Sequence, residues 1–409
     1  MVVVSERETG SVGAVEQRLG HSAPALIVFS HLRWSGVYQR PQHLLSRFAQ
    51  DIPVMVVEEP MFLVEEGAEA YLQVAEDGAV TVLTPMLPIS PGLGMGFSED
   101  SIGEITRLIT PSLVAFASDT ANRSGDLEQG PIVWYYTPMA LGILPETIKP
   151  SLVVFDAMDD LASFRNAPQA LRDKEAAMFR QADLVFSGGP SLYEARRDRH
   201  PSVHCFPSGV EAAHFARATD GLAPPDGLSA LPYPVLGFYG VLDERLDFDL
   251  IAAVADARPE WSLALIGPLA KIDQGELPRR RNISYFGQQR YADLPAFLAG
   301  FDVAILPFAI NEATRSISPT KTLEYLAAEK PVVSTPIADV ASLYGDVVRI
   351  VKDAPAFVAA VDAALGELAA DRRMRLAAGR AHLLTHDWDT IAEGMATLMV
   401  ETLTARSGT

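Results

Sequence analysis

Cysteine is nearly absent: Cys205 stands alone in 409 residues. A single thiol rules out an internal disulfide, offers no zinc cluster and fits a reducing compartment such as the cytoplasm. Positive charge is also scarce, with 33 lysines and arginines against 52 aspartates and glutamates and a formal net charge of −19. Binding nucleic acid requires a basic surface that neutralises phosphates, so that class is excluded. The same deficit argues against broad adhesion to an anionic membrane. Two short basic runs, 196–200 and 279–281, leave room for a peripheral patch contact at most, and both read more simply as solvated loop or helix ends. Long apolar runs are missing too, since none reaches the roughly 18 residues that span a bilayer. Residues 1–22 lack a basic start, a continuous apolar core and a cleavage pattern, and read as a lead segment without a signal peptide.

What is present is an ordinary globular composition, 48% apolar and 21% charged, in a chain too long for one core. Strand-length apolar runs at 25–30, 54–58, 79–83, 132–136, 152–155, 184–187 and 203–206 alternate with helical stretches at 41–49, 103–110 and 171–181. The segment RATDGLAPPDGLSALP (217–232) is rich in Gly, Pro, Ala and Asp and reads as a linker. A second series of strands follows at 235–239, 263–266, 283–286, 303–307, 332–334 and 347–350. Helical stretches at 248–257, 294–298, 319–328 and 355–368 separate them. Such alternation predicts parallel sheets with crossover helices, in two doubly wound domains at 23–216 and 233–385.

The most informative segment is ISPTKTLEYLAAEKPVVSTP (317–336). Ser318 suits an N-cap and Pro319 a first helical position, where a missing N–H costs nothing. Lys321 and Glu324 are three apart and share one helix face. The helix must stop before Pro331, and Val332-Val333-Ser334 reads as a buried strand. A helix N-terminus carrying a lysine suits phosphate, and a carboxylate one turn in can accept two hydrogen bonds from a ribose diol.

This segment resembles the nucleotide-sugar site of glycosyltransferases of the family 1 and family 4 type, whose two facing Rossmann-like domains form the GT-B fold. The resemblance extends over about 380 residues. DLVFSGGPSLYEARR (183–197) and HCFPSGVEAAHF (204–215) are similar to a paired signature of that superfamily, with Ser208 and Glu211 where relatives carry Asn and Asp. HDWDTIAEGMATLMVETL (386–403) is similar to the final helix that crosses back onto the first domain, with Trp388 as anchor, and places a last unit at 386–409. The implied donor-nucleotide residues are Gly240, Arg245, Gly267, Gln288, Arg315, Ser318, Thr320, Lys321, Thr322 and Glu324. Glu324 would hold the ribose. The cations and the helix N-terminus would take the charge of the leaving diphosphate, so no metal or other cofactor is expected to be essential.

In the first domain, SHLRWSGVYQRPQHLLSRFA (30–49) occupies the first strand-to-helix turn, which faces the cleft in open α/β sheets. His31, Arg33, Trp34, Gln39 and Arg40 there supply donors, a cation and an aromatic platform for an acceptor or donor sugar. VVFDAMDDLASF (153–164) is a strand ending in Asp156, Asp159 and Asp160. Asp156 is the candidate catalytic base or acceptor-positioning group, and Asp159 a cleft residue. The D-x-x-D-D spacing would also suit Mg²⁺. PGLGMGF (91–97) lacks the third glycine and the helix of a dinucleotide loop, and reads as a rim loop.

The chain also departs from the family pattern. GFYGVLDERLD (237–247) holds Val241 and Leu246 where relatives place an arginine and a lysine, so Arg245, Lys321 and Arg315 must carry the diphosphate. Ser316 occupies the slot of the first glutamate in E-x7-E, and Glu312, twelve positions before Glu324, is the candidate to replace it. Glu329 stands where relatives end the helix with glycine, in a left-handed turn that costs about 1 kcal/mol. The implied activity is transfer of a sugar from a nucleoside diphosphate, with UDP expected, to a hydroxyl acceptor in surface polysaccharide or glycoconjugate synthesis. A sugar-nucleotide epimerase on the same fold and a non-catalytic nucleotide-sugar-binding partner are the alternatives.

Overall fold

The computed structural model describes residues 24–407 apart from 66, 90–93, 95, 125–129 and 164–166. The lead at 1–22 and most of the glycine-rich run at 91–95 therefore lie outside the described residues. The first domain is built on β1 (Leu26–Ser30), β2 (Val54–Glu58), β3 (Met61–Leu63), β4 (Tyr71–Asp77), β5 (Val80–Pro88), β6 (Ile132–Tyr135), β7 (Leu152–Ala157), β8 (Leu184–Ser187) and β9 (Val203–Cys205). These form one sheet in the order β3-β5-β2-β1-β6-β7-β8-β9, with β4 added antiparallel on β5. The remaining neighbours pair in parallel, as β1 does with β2 and β6.

β1 reads LIVFS and is buried throughout, because a parallel strand has both faces covered by helices. Its side chains alternate. Leu26 and Val28 enter one cluster with Trp134 and Trp388, whereas Ile27 and Phe29 enter another with Ile105 and Ile109. The second domain contains β10 (Val235–Tyr239), β11 (Ser262–Ile266), β12 (Ile283–Tyr285), β13 (Val303–Leu306), β14 (Val332–Ser334) and β15 (Val348–Ile350). They form a parallel sheet in the order β12-β11-β10-β13-β14-β15 around a single core. Two doubly wound domains face each other, which is the GT-B architecture.

Three expectations need correction. The β4–β5 hairpin arm was not foreseen, since β4 is an edge strand with six of its seven residues exposed and carries little apolar signal. The helix expected at 103–110 runs from Glu99 to Ser124 and continues through Pro111. The supposed linker is packed structure: it holds short helices at Arg217–Thr219 and Asp226–Ser229, and Ala218 and Leu228 join the second core. The crossing instead lies near 206–211. There Val210 donates its N–H to His386 O at 2.8 Å, so outgoing and returning segments run side by side. The helix Trp388–Ser407 then lays Trp388, Ile391, Met395 and Met399 on the first-domain core.

Candidate active site

The C-terminal ends of both sheets open onto a shared cleft with about 1030 Å³ of space, open solvent included. On the second-domain wall the Lys321–Ala327 helix presents Lys321 and Glu324, and Arg245 stands beside them. The helix begins later than the sequence implies: Thr320, not Ser318, is the N-cap, and Pro319 lies before it. Ser318 and Thr320 still line the cleft.

Lys321 reaches the cleft over the ends of two strands. Gly240 has φ +142°, and a Cβ there would sit 2.2 Å from Lys321 Cε. A Cβ on Gly267, φ +145°, would fall 1.8 Å from Gly240 O. Both glycines are therefore needed for this close stacking, although Gly267 supports the cleft without lining it. Burial pulls the Lys321 ammonium below the usual lysine range, opposed by the Glu324 carboxylate. Glu324 is 8% exposed, and burial pushes its carboxyl up, opposed by Lys321 and by Tyr239. The Tyr239 hydroxyl donates to Glu324 Oε2 at 2.5 Å. Arg245 is fixed by buried Asp243, which accepts from Nε at 3.0 Å and Nη2 at 2.8 Å.

Several expected donor residues lie elsewhere. Arg315 and Glu312 form an ion pair with each other, 67% and 68% exposed, and line no part of the cleft. The Asn311–Thr314 capping box turns the Glu312–Thr314 segment outward, which places these two side chains on one solvated face. Thr322 is fully buried on the core side of its helix. Gln288 is exposed and outside the cleft, whereas Tyr291, at the end of the same loop, enters it.

The first-domain wall brings a larger correction. Asp156 is 0% exposed, and Arg40, 1% exposed, donates to both of its oxygens: Nε to Oδ2 at 2.9 Å and Nη2 to Oδ1 at 3.0 Å. Arg40 Nη1 donates to Phe206 O at 2.8 Å. Asp156 does not reach the cleft, so it holds Arg40 and has no oxygen for an acceptor hydroxyl. Asp159 lines the cleft, together with Gln39 and Arg40. His31 lies off the cleft lining, and burial holds its imidazole at about 4, hence neutral, with the Asp159 charge opposing. Arg33 is turned away, donating to Glu58 Oε2 at 3.2 Å and to Pro60 O at 2.9 Å. The Trp34 indole donates to Asp77 at 2.7 Å on the hairpin arm. Arg33 and Trp34 thus brace the loop and the arm.

Two contacts bridge the domains beside the cleft. Tyr291 stacks on His214 at 4.5 Å and against Tyr38 at 4.7 Å, and donates its hydroxyl to Glu211 at 2.9 Å. His43, with Tyr291 and Arg47, holds the Glu211 carboxyl at about 2. At the other contact, buried Asp339 of the second domain accepts the Ser191 N–H at 3.0 Å and its hydroxyl. A Cβ on Gly189 would meet Asp339 Oδ2 at 2.4 Å and Ser318 Cβ at 2.7 Å, so only glycine allows this approach. Tyr239, Asp243 and Asp339 escaped the sequence reading. The one signal for them was the polar run after each strand end.

Residues 233–367 match the family described as Glycosyl transferases group 1. A Bacillus subtilis (strain 168) protein described as a teichuronic acid biosynthesis glycosyltransferase, TuaH, is 27% identical over 248 residues, 56% of this chain. The match spans 59% of that relative's length. Among solved structures, a sucrose-phosphate synthase from Thermosynechococcus elongatus superposes with a TM-score of 0.67 at 15% identity, covering 93% of this chain and 100% of that one. An alpha,alpha-trehalose 6-phosphate synthase from Burkholderia multivorans gives 0.62 at 16%, covering 94% and 98%. The E. coli trehalose-6-phosphate protein bound with UDP-2-fluoro glucose gives 0.60 at 15%, covering 92% and 99%. The chain has the two-domain GT-B fold, and its residues 233–367 match the group 1 glycosyl transferases.

Proposed function

We propose that this protein transfers a sugar from a nucleoside diphosphate, UDP in our reading, to a hydroxyl acceptor in the synthesis of a cell-surface polysaccharide. The observation that carries the reading is half-buried Lys321 and buried Glu324 beside Arg245 on one cleft wall. Lys321 and Arg245 meet the diphosphate and stabilise the charge that develops as it leaves, with no bound metal required. Glu324 accepts from the ribose hydroxyls. Asp159, in the place first assigned to Asp156, meets the acceptor hydroxyl from the facing wall and takes its proton if the reaction inverts. Closure of the domains excludes water and limits donor hydrolysis.

UDP as the nucleotide draws support from the E. coli neighbour bound with UDP-2-fluoro glucose. A polysaccharide acceptor draws it from the name of the Bacillus relative. We assign the reaction to the cytoplasm, with membrane contact at most peripheral. Among the described residues no helix is long and apolar enough to cross a membrane.

The test is thermal stabilisation by a panel of nucleoside diphosphates and nucleotide sugars, on the wild type and on Glu324→Ala. A selective shift with UDP compounds that the variant loses is the expected result, corresponding to about 1–3 kcal/mol of binding. An equal shift in the variant refutes the role of Glu324, and no shift with any compound refutes the donor site.

A further inference from the structure

We infer that Tyr239 is a positioning residue for the nucleotide: its hydroxyl fixes Glu324 so that the carboxylate meets both ribose hydroxyls. The inference rests on the reading of Glu324 given above and extends it to a residue outside the Lys321–Glu324 motif.

Tyr239 is the last residue of β10, where a parallel strand opens onto the cleft. It is tied twice to the helix that carries Glu324. Its hydroxyl donates to Glu324 Oε2 at 2.5 Å, and its backbone N–H donates to the Tyr325 hydroxyl at 3.1 Å. The Tyr325 ring stands edge-on to it at 5.1 Å and 87°. Tyr239 is 4% exposed and Tyr325 fully buried, so neither ring can swing away without opening the core.

A lone glutamate at the rim of a cleft rotates among its rotamers, and reading two adjacent hydroxyls demands one fixed carboxylate plane. Tyr239 supplies that plane. One oxygen is anchored by the phenol, and the carboxylate's remaining acceptor positions are presented in one orientation to the diol. Binding energy is then gained without freezing a mobile side chain on each encounter.

The phenol has a second effect. Lys321 on the same helix, Tyr239 from β10 and Glu211 from the domain crossing all bear on the Glu324 carboxyl, the first two favouring its charged form and the third opposing it. Tyr325 and Tyr291 also lie within its field. Burial and Glu324 hold the Tyr239 phenol well above its ordinary range, so it stays a donor. Without that hydroxyl, burial raises the carboxyl further. Because the diol needs an ionised acceptor, nucleotide binding must then weaken as pH falls.

The experiment measures UDP and 2′-deoxy-UDP affinity by calorimetry at pH 8 and pH 6, for the wild type and for Tyr239→Phe, Tyr325→Phe and Glu324→Ala. The wild type should prefer UDP by about tenfold, the scale of one hydrogen bond to a charged group. Tyr239→Phe should reduce that preference to about threefold or less and lose more affinity than the wild type between pH 8 and pH 6. Tyr325→Phe removes a bond to the Tyr239 backbone but leaves the phenol on Glu324, so it should keep the preference. A Tyr239→Phe protein with the wild-type preference and pH profile, while Glu324→Ala loses the preference, overturns the positioning role alone. A Glu324→Ala protein that binds both nucleotides as the wild type does overturns the ribose reading and the inference with it.

Discussion

Replacing Asp156 by asparagine separates the two roles this residue has been given. Asp156 and Arg40 are 0% and 1% exposed. The guanidinium makes three hydrogen bonds of 2.8–3.0 Å, two of them to the carboxylate. Asparagine keeps one acceptor oxygen but sets an NH₂ group against a second guanidinium N–H, and it leaves the arginine charge buried without a counter-charge. Breaking a buried pair in this way costs about 3–5 kcal/mol. For a domain of this size each kcal/mol lowers the melting temperature by roughly 2–4 °C, so a fall of about 6–20 °C follows in the first-domain transition. Calorimetry reads it directly, and nucleotide stabilisation of the second domain should survive. The double variant Arg40→Met with Asp156→Leu should recover most of the lost stability, because it removes the charge and its partner together. If Asp156→Asn melts within a degree of the wild type yet loses turnover, the structural reasoning fails and the carboxylate acts on substrate.

Glu59 tests pH dependence. Burial pushes its carboxyl up to about 7 despite Arg33. Between about pH 4.5 and 7 the folded state then holds a proton that the unfolded chain has lost. Stability must fall as pH rises through that window and stay low above it. Glu59→Gln should abolish that slope and raise stability at pH 8 by on the order of 1–3 kcal/mol, and a denaturant titration with an unchanged slope would count against it. Asp339→Ala removes the acceptor that ties Ser191 across the cleft. It should weaken UDP-sugar affinity about tenfold and enlarge the radius of gyration by solution scattering; wild-type values in both would mean the contact does not hold the domains closed. Glu312→Ala and Arg315→Ala, an exposed pair outside the cleft, should leave donor affinity and turnover unchanged. A tenfold loss in either would return these residues to the site.

Much of the site was legible because its parts are close in sequence. Lys321 and Glu324 are three apart on one helix, so local geometry alone puts them on the same face. The left-handed turn at Glu329 was legible for a similar reason, and the residue has φ 56°. Its carboxylate finds Arg380 at 3.2 Å. Asp156 was misjudged through two residues of strand length. With β7 ending at Phe155 the carboxylate would stand at the strand tip, but the strand runs to Ala157. Asp156 therefore lies within the strand, on the same side as Val154, and its partner Arg40 is 116 positions away.

By itself the sequence determined the alternation of strands and helices, the two-domain GT-B plan and the helix face that Lys321 and Glu324 share. Each of these rests on periodicity or on spacing within a few residues, which the backbone converts directly into geometry. Only the tertiary structure decided which of three clustered aspartates faces the cleft, which arginine is anchored there by Asp243, and that Arg315 and Glu312 cancel each other in solvent. It also decided that residues 217–232 pack as part of the second domain, and that Tyr239 and Asp339 hold the site from outside its motif. The contacts of Tyr239, Asp156 and Asp339 join groups 85 to 148 residues apart in the chain, beyond the reach of any local spacing. Burial sets the cost of leaving any of them unpaired, and burial exists only once the chain has folded.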